Sequence, residues 1–180
     1  YFDHINLLGF SNWMKIQVQE ELVHAQKFYK YINDVSARVT MLAIPKPAAE
    51  FDSPLAAFQD ALAHERSVTK RIYKLVDLAR QESDHGTEAF LQWFVTEQVE
   101  EESAADAIVQ KLKLVGKDAQ GLFWIDRELS GRTVAATEPS AHRLAVEAGA
   151  KALGVHTSAP DLQTRKIMGL QLVQSSLGWA

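Results

Sequence analysis

Three stretches of this chain run for roughly 28 residues each without an internal proline or glycine, and nothing else in it restricts the fold so strongly. The first opens near Gly9 and Ser11 and continues to about Ser36, rich in the helix formers Gln, Glu, Lys and Met. The second opens at Ser53-Pro54, a capping serine followed by a proline suited to the first helical turn, and reaches about Glu82. The third starts near Gly86-Thr87 and runs to Val115, with Gly116 as its stop. Helices of this size measure about 42 Å, against a mean of ~11–12 residues in globular proteins. The spacing predicts rods packed side by side, an all-α bundle rather than a compact α/β domain.

The connections set the topology. Ser83-Asp84-His85-Gly86 is short, so the second and third helices should be antiparallel neighbours. Between the first and second lie about 18 residues, Ala37 to Pro54, with Pro45 and Pro47 among them. Extended, that segment reaches roughly 60 Å, enough to run the length of the bundle and return the chain in parallel. One long crossover and one tight hairpin is a ferritin-like layout, though other four-helix folds also use crossovers. A short amphipathic piece, Lys117 to Leu129, is expected to pack Leu122, Phe123, Trp124 and Ile125. From Thr133 the character changes to Ala, Ser, Thr and Gly, with two weaker helical stretches near 140–153 and 161–177. This divides the chain into a bundle over 1–132 and an extension of unknown role over 133–180.

Composition removes several functions. There is no Cys, which excludes disulfides, thiolate zinc sites and cysteine nucleophiles and fits a reducing, cytoplasmic setting. A net charge of −4 is a poor balance for a dedicated nucleic-acid binder. No apolar run approaches the ~20 residues of a membrane helix, and the start lacks a signal-peptide layout. It begins Tyr1-Phe2, without Met, as a cleaved or truncated chain would.

Acidic residues interrupt the apolar stripes. At 100° per residue the first helix lines up Phe10, Met14, Phe28 and Val35, with Glu21 inside the stripe and His24 on its flank. The second lines up Phe58, Leu62, Ile72 and Val76 around Glu65; the third lines up Phe90, Phe94, Ile108 and Leu112 around Glu101, with Glu97 close by. Each acid lies near the middle of its helix, so packing brings them to one level. Unpartnered buried carboxylates cost several kcal/mol each and repel one another. Lys70, Arg71 and Lys74 sit off the stripe, so no nearby Arg or Lys stands out to neutralise them. A pair of divalent cations can, and oxygen ligands with one imidazole suit iron or manganese, with zinc less selective. Glu21-Leu22-Val23-His24 supplies the Glu-x-x-His spacing of di-iron bundles. The bland alternatives are boundary acids, a hydrogen-bonded histidine and, for Glu97 to Glu102, a solvated acidic face. A glycosidase-type acid/base pair normally lies in an open cleft instead.

The chain resembles the bacterial-type non-haem ferritins. The matching stretches include Gly9-Phe10-Ser11-Asn12-Trp13-Met14, Gln19-Glu20-Glu21-Leu22-Val23-His24-Ala25 and Glu50-Phe51-Asp52-Ser53-Pro54. Phe90-Leu91-Gln92-Trp93-Phe94, Glu97-Gln98-Val99-Glu100-Glu101-Glu102 and Gly121-Leu122-Phe123-Trp124-Ile125-Asp126 complete the set. The resemblance covers about 1–132. It implies that Glu21 and His24 bind iron, Glu21 bridging two metals, and that Glu65 and Glu101 serve the second metal. Gln98 would lie beside the oxygen-binding face, and Glu20, Glu97 and Glu100 around a third iron. The implied reaction is oxidation of Fe²⁺ by oxygen or peroxide, followed by storage as ferric mineral in a cage of twenty-four subunits. Haem is not implied, because Leu22 replaces the haem-ligating methionine of bacterioferritins and a second Glu-x-x-His is lacking.

Two departures qualify the expectation. The family's opening helix, a source of another iron-binding Glu, is reduced to its end around Tyr1-Phe2, leaving a short fifth helix to follow the three long ones. The segment 133–180 matches nothing in the family, and Glu147 is its one candidate replacement ligand. Rubrerythrin-like peroxidases are a second di-metal class, opposed by the absence of the cysteines of their rubredoxin site. A metal-free or catalytically impaired scaffold that binds partners is the third reading.

Overall fold

The computed structural model describes residues 1–133, and every structural statement below concerns those residues. Three long helices and a short one make up the fold: α1 (Leu8–Asp34), α2 (Pro54–Gln81), α3 (His85–Val115) and α4 (Ala119–Leu129). The weaker helical stretches expected near 140–153 and 161–177, and Glu147, fall outside the described residues.

Local chemistry explains the ends. Ser53 Oγ accepts from the Ala56 amide at 3.1 Å, and Pro54 opens α2, as the sequence suggests. α3 begins one to two residues earlier than Gly86-Thr87. Asp84 is its cap, accepting from the Thr87 amide at 3.1 Å and from the Thr87 hydroxyl at 2.6 Å. Gly116 ends α3 with φ of +57°, the left-handed region that glycine enters without a Cβ clash. α1 borrows its cap: Asp126 Oδ1, on α4, accepts from the amides of Gly9 and Phe10 at 2.8 and 3.1 Å. Asn12 returns the favour, donating to the carbonyls of Leu129 and Arg132 at 3.2 and 3.0 Å.

Side-chain pairings give the directions. Arg80 meets Glu88, Glu65 meets Gln98 and Arg66 meets Asp106, so α2 and α3 are antiparallel. Gln17 reaches Glu101, the Phe28 and Phe94 rings stack at 4.1 Å, and Tyr31 stacks on Phe90 at 4.0 Å, so α1 also opposes α3. α1 is therefore parallel to α2, the Phe10 and Trp13 rings meeting Phe58 at 5.6 and 5.0 Å. The segment 35–53 carries the chain back along the bundle, as expected from its length.

The core has two apolar ends and a polar middle. Phe2, Phe10, Trp13, Phe58, Leu62, Ile108 and Leu112 fill the end nearest α4. Phe28, Ile72, Leu75, Val76, Leu91 and Phe94 fill the other. Between them each of the three long helices contributes polar groups: Gln17 and His24 from α1, Glu65 and Thr69 from α2, Gln98 and Glu101 from α3. α4 departs from expectation. Ile125 and Leu129 are buried and Leu122 half-buried, but Phe123 and Trp124 are exposed. Positions 122, 125 and 129 share one helical face, and 123 and 124 turn away from it by 100° or more.

Candidate metal centre

The polar layer holds a tight group of three ligating side chains. Glu21, His24 and Glu101 each offer a ligand atom, and these atoms lie within 4.8 Å of one another. Glu21 and His24 share a face of α1 because three residues make most of a turn; Glu101 faces them from α3. His24 is more buried than Glu21, the reverse of the flank position expected from the helical wheel. The edges of Trp93 and Phe94, 5.3 and 6.1 Å away between centroids, draw the α3 side of the bundle over the imidazole.

In this structure the imidazole sits between two carboxylates. His24 Nδ1 is 3.5 Å from Glu21 Oε2, and Nε2 is 3.4 Å from Glu97 Oε1. Burial opposes its protonation, but the hydrogen bonds and charges of Glu21 and Glu97 outweigh that and push the pKa up to about 9. Burial pushes Glu101 up to about 7; the charges of Glu21 and Glu20 add to the rise, while the Gln17 hydrogen bond and His24 oppose it. Both shifts favour the protonated forms, and a divalent ion bound there would compete with those protons.

Glu65 stands outside the group of three. It is 3% exposed, so the expected burial holds. Gln98 Nε2 donates to its Oε2 at 3.2 Å, to its backbone carbonyl at 3.3 Å and to Thr69 Oγ1 at 3.2 Å. Thr69 in turn donates to Glu102. Gln98 thus bridges the α2 and α3 portions of the layer. The acidic run 97–102 is not one solvated face: Gln98 and Glu101 are buried, Glu97 and Glu102 half-buried, Glu100 exposed. Of the acids Glu20, Glu97 and Glu100, Glu97 faces His24 and Glu20 is paired with Arg132.

Two cations correct the expectation that none lies near. Arg132, just beyond α4, pairs with Glu20 and donates to Gln17 Oε1 at 3.0 Å. Lys27 Nζ lies 2.9 Å from the centre of the Trp93 ring and in the field of Glu97; burial is the main cause of its lowered pKa. As expected, Lys70 and Lys74 are exposed, and Arg71 is half-buried. Sequence reasoning also missed Gln17, 1% exposed, whose Nε2 donates to Glu101 Oε2 at 2.7 Å. Its signal was legible: a polar residue four before Glu21 on an otherwise apolar stripe. No local signal points to Arg132, more than a hundred residues from its partners.

Buried acids, an imidazole and carboxamides in one layer, between apolar ends of a helical bundle with a long crossover, define a carboxylate-bundle protein of the kind that holds multivalent cations. A family model described as Ferritin-like domain matches residues 1–115. A bacterial non-heme ferritin of Staphylococcus aureus is 41% identical over 133 residues, 74% of this chain and 80% of the relative. The Staphylococcus haemolyticus counterpart is 40% identical over the same share. Among solved structures, an open pore ferritin from the archaeon Archaeoglobus fulgidus is 53% identical with a TM-score of 0.73, covering 74% of this chain and 82% of its own. A humanized archaeal ferritin is 51% identical with a TM-score of 0.75, covering 76% and 82%. The chain belongs to the ferritin family.

Proposed function

We propose that this chain is an iron-storage subunit that oxidises Fe²⁺ to Fe³⁺ within its bundle and releases the product to a ferric mineral inside a cage of twenty-four copies, in the cytoplasm. The observation that carries this is the convergence of Glu21, His24 and Glu101 ligand atoms within 4.8 Å, in a buried layer shared with Glu65. Iron is the substrate. Glu21, His24, Glu65 and Glu101 would hold two ions, with Gln98 beside them. Anionic oxygen ligands stabilise Fe³⁺ more than Fe²⁺, so they favour loss of an electron. Two ferrous ions held side by side can pass two electrons to one oxygen, which takes up two protons as peroxide; peroxide can accept two more. Protons held by His24 and Glu101 would be displaced as the ions arrive, offsetting part of the charge they bring. A third cation at Glu20, Glu97 and Glu100 would first have to take Glu20 from Arg132.

The names of the relatives support iron as the cargo, and a scaffold reading gains support only if metal fails to bind. Fe²⁺ is added without oxygen to the metal-stripped whole protein, and oxygen is then admitted. Oxidation faster than in buffer, with ferric absorbance slowed at least about tenfold in Glu65→Ala, is the expected result. Oxidation no faster than in buffer, with normal helicity, overturns the enzyme and favours the scaffold. Electron microscopy of the iron-loaded protein tests the cage.

A further inference from the structure

The Gln17 carboxamide has two different ends, and something must decide which one faces Glu101. Buried on α1, it presents an NH₂ to Glu101 Oε2 at 2.7 Å. Turned over, it would present a carbonyl oxygen to the ionised carboxylate that a metal requires, with repulsion in place of a hydrogen bond. The opposite end, Oε1, is taken by Arg132 Nη1 at 3.0 Å. A guanidinium only donates, so it admits the carbonyl end alone.

Arg132 is itself held on several sides. Nη1 also donates to the Trp13 carbonyl at 3.3 Å, Nη2 donates to Glu20, and the guanidinium carbon lies 4.5 Å from the centre of the Trp13 ring. Its backbone carbonyl accepts from Asn12 at 3.0 Å, and Asn12 also holds the end of α4 through Leu129. The rigid fork is thus aimed by the docking of α4 against α1.

We propose that Arg132 is a positioning residue of the metal centre, acting through Gln17 to fix the plane in which Glu101 meets a cation. The inference rests on the metal reading of that layer. Sign separates it from plain electrostatics. Removing a positive charge beside a cation site should tighten binding, whereas releasing a ligand from its orienting partner should weaken it.

Co²⁺ serves as a redox-inert probe, titrated by calorimetry into the metal-stripped whole protein and followed by its visible spectrum. Arg132→Met should weaken Co²⁺ binding about tenfold and alter the band shape, and Gln17→Met should do the same. Arg132→Met combined with Gln17→Met should be no worse than either alone, because the two act in series. Arg132→Lys keeps the charge beside Glu20 but loses the fork, so it should behave as Arg132→Met does. Unchanged or tighter binding in Arg132→Met, full recovery in Arg132→Lys, or multiplied losses in the double variant would each overturn the proposal. Glu101→Gln separates the two levels. If it leaves Co²⁺ binding intact, the metal reading falls and this inference falls with it. If it abolishes binding while Arg132→Met has no effect, only the role of Arg132 falls. Far-ultraviolet dichroism of every variant confirms that the helices persist.

Discussion

Glu101→Gln should make the metal-free protein more stable at alkaline pH, although it removes a candidate ligand. Burial, with the charges of Glu21 and Glu20, raises the Glu101 pKa from 4.5 to about 7. At about 1.4 kcal/mol per pH unit, keeping the carboxylate ionised in the fold costs about 3 kcal/mol at pH 8. The sign follows from linkage. Between 4.5 and about 7 the folded chain holds a proton that the unfolded chain has lost, so stability falls as pH rises through that window. Glutamine is neutral throughout, and its carbonyl can still accept from Gln17 Nε2, so the packing is kept. Urea unfolding of chelator-treated protein, followed by dichroism at pH 5, 6.5 and 8, should show a gain of about 2–3 kcal/mol at pH 8. The gain should shrink below about 1 kcal/mol at pH 5. A variant no more stable than its parent at pH 8, or a gain that ignores pH, would refute the assignment of a buried ionised carboxylate.

His24 should give the metal-free protein a second pH dependence. Its pKa is raised from 6.5 to about 9, so the stability it contributes is fully present below 6.5 and is lost as pH rises through about 9, measurable as a falling midpoint that His24→Gln flattens. Co²⁺ affinity should move the other way, increasing from pH 6 to 9 as ligand protons become easier to displace, with proton release visible in weakly buffered titrations. Gly9→Ala should destabilise by about 3 kcal/mol or more, since its Cβ would fall 1.6 Å from the Asp126 carbonyl oxygen and force α4 off α1; a thermal midpoint within a few degrees of the parent would contradict that close approach. Phe58→Ala should cost about 3–5 kcal/mol by emptying the contact with Phe2, Phe10 and Trp13, read by urea unfolding.

Much of this protein was legible one residue at a time. The lengths of α1, α2 and α3 followed from uninterrupted runs between Pro and Gly, because a helix is a local structure with local stops. The level at which Glu21, Glu65 and Glu101 lie followed from their central positions, because rods of similar length packed along one axis bring their midpoints together. The parallel relation of α1 and α2 followed from the reach of the segment between them. Even Gln17 could have been found, by asking why an amide interrupts an apolar stripe.

Tertiary structure alone decided how those groups are shared. His24 and Glu21 are three residues apart, yet which of them lies deeper depends on where Trp93 and Phe94 of α3 close over α1. Glu65 sits on the expected face, yet it is held by Gln98 and lies apart from the group of three. The cap of α1 comes from Asp126, 117 residues away, and the cation beside Glu20 from Arg132, 112 residues away. Periodicity reports which way a side chain points from its own helix axis. It carries no information about the rotation of one helix against another, or about which distant chain end fills the remaining space, and those choices decide which charge meets which.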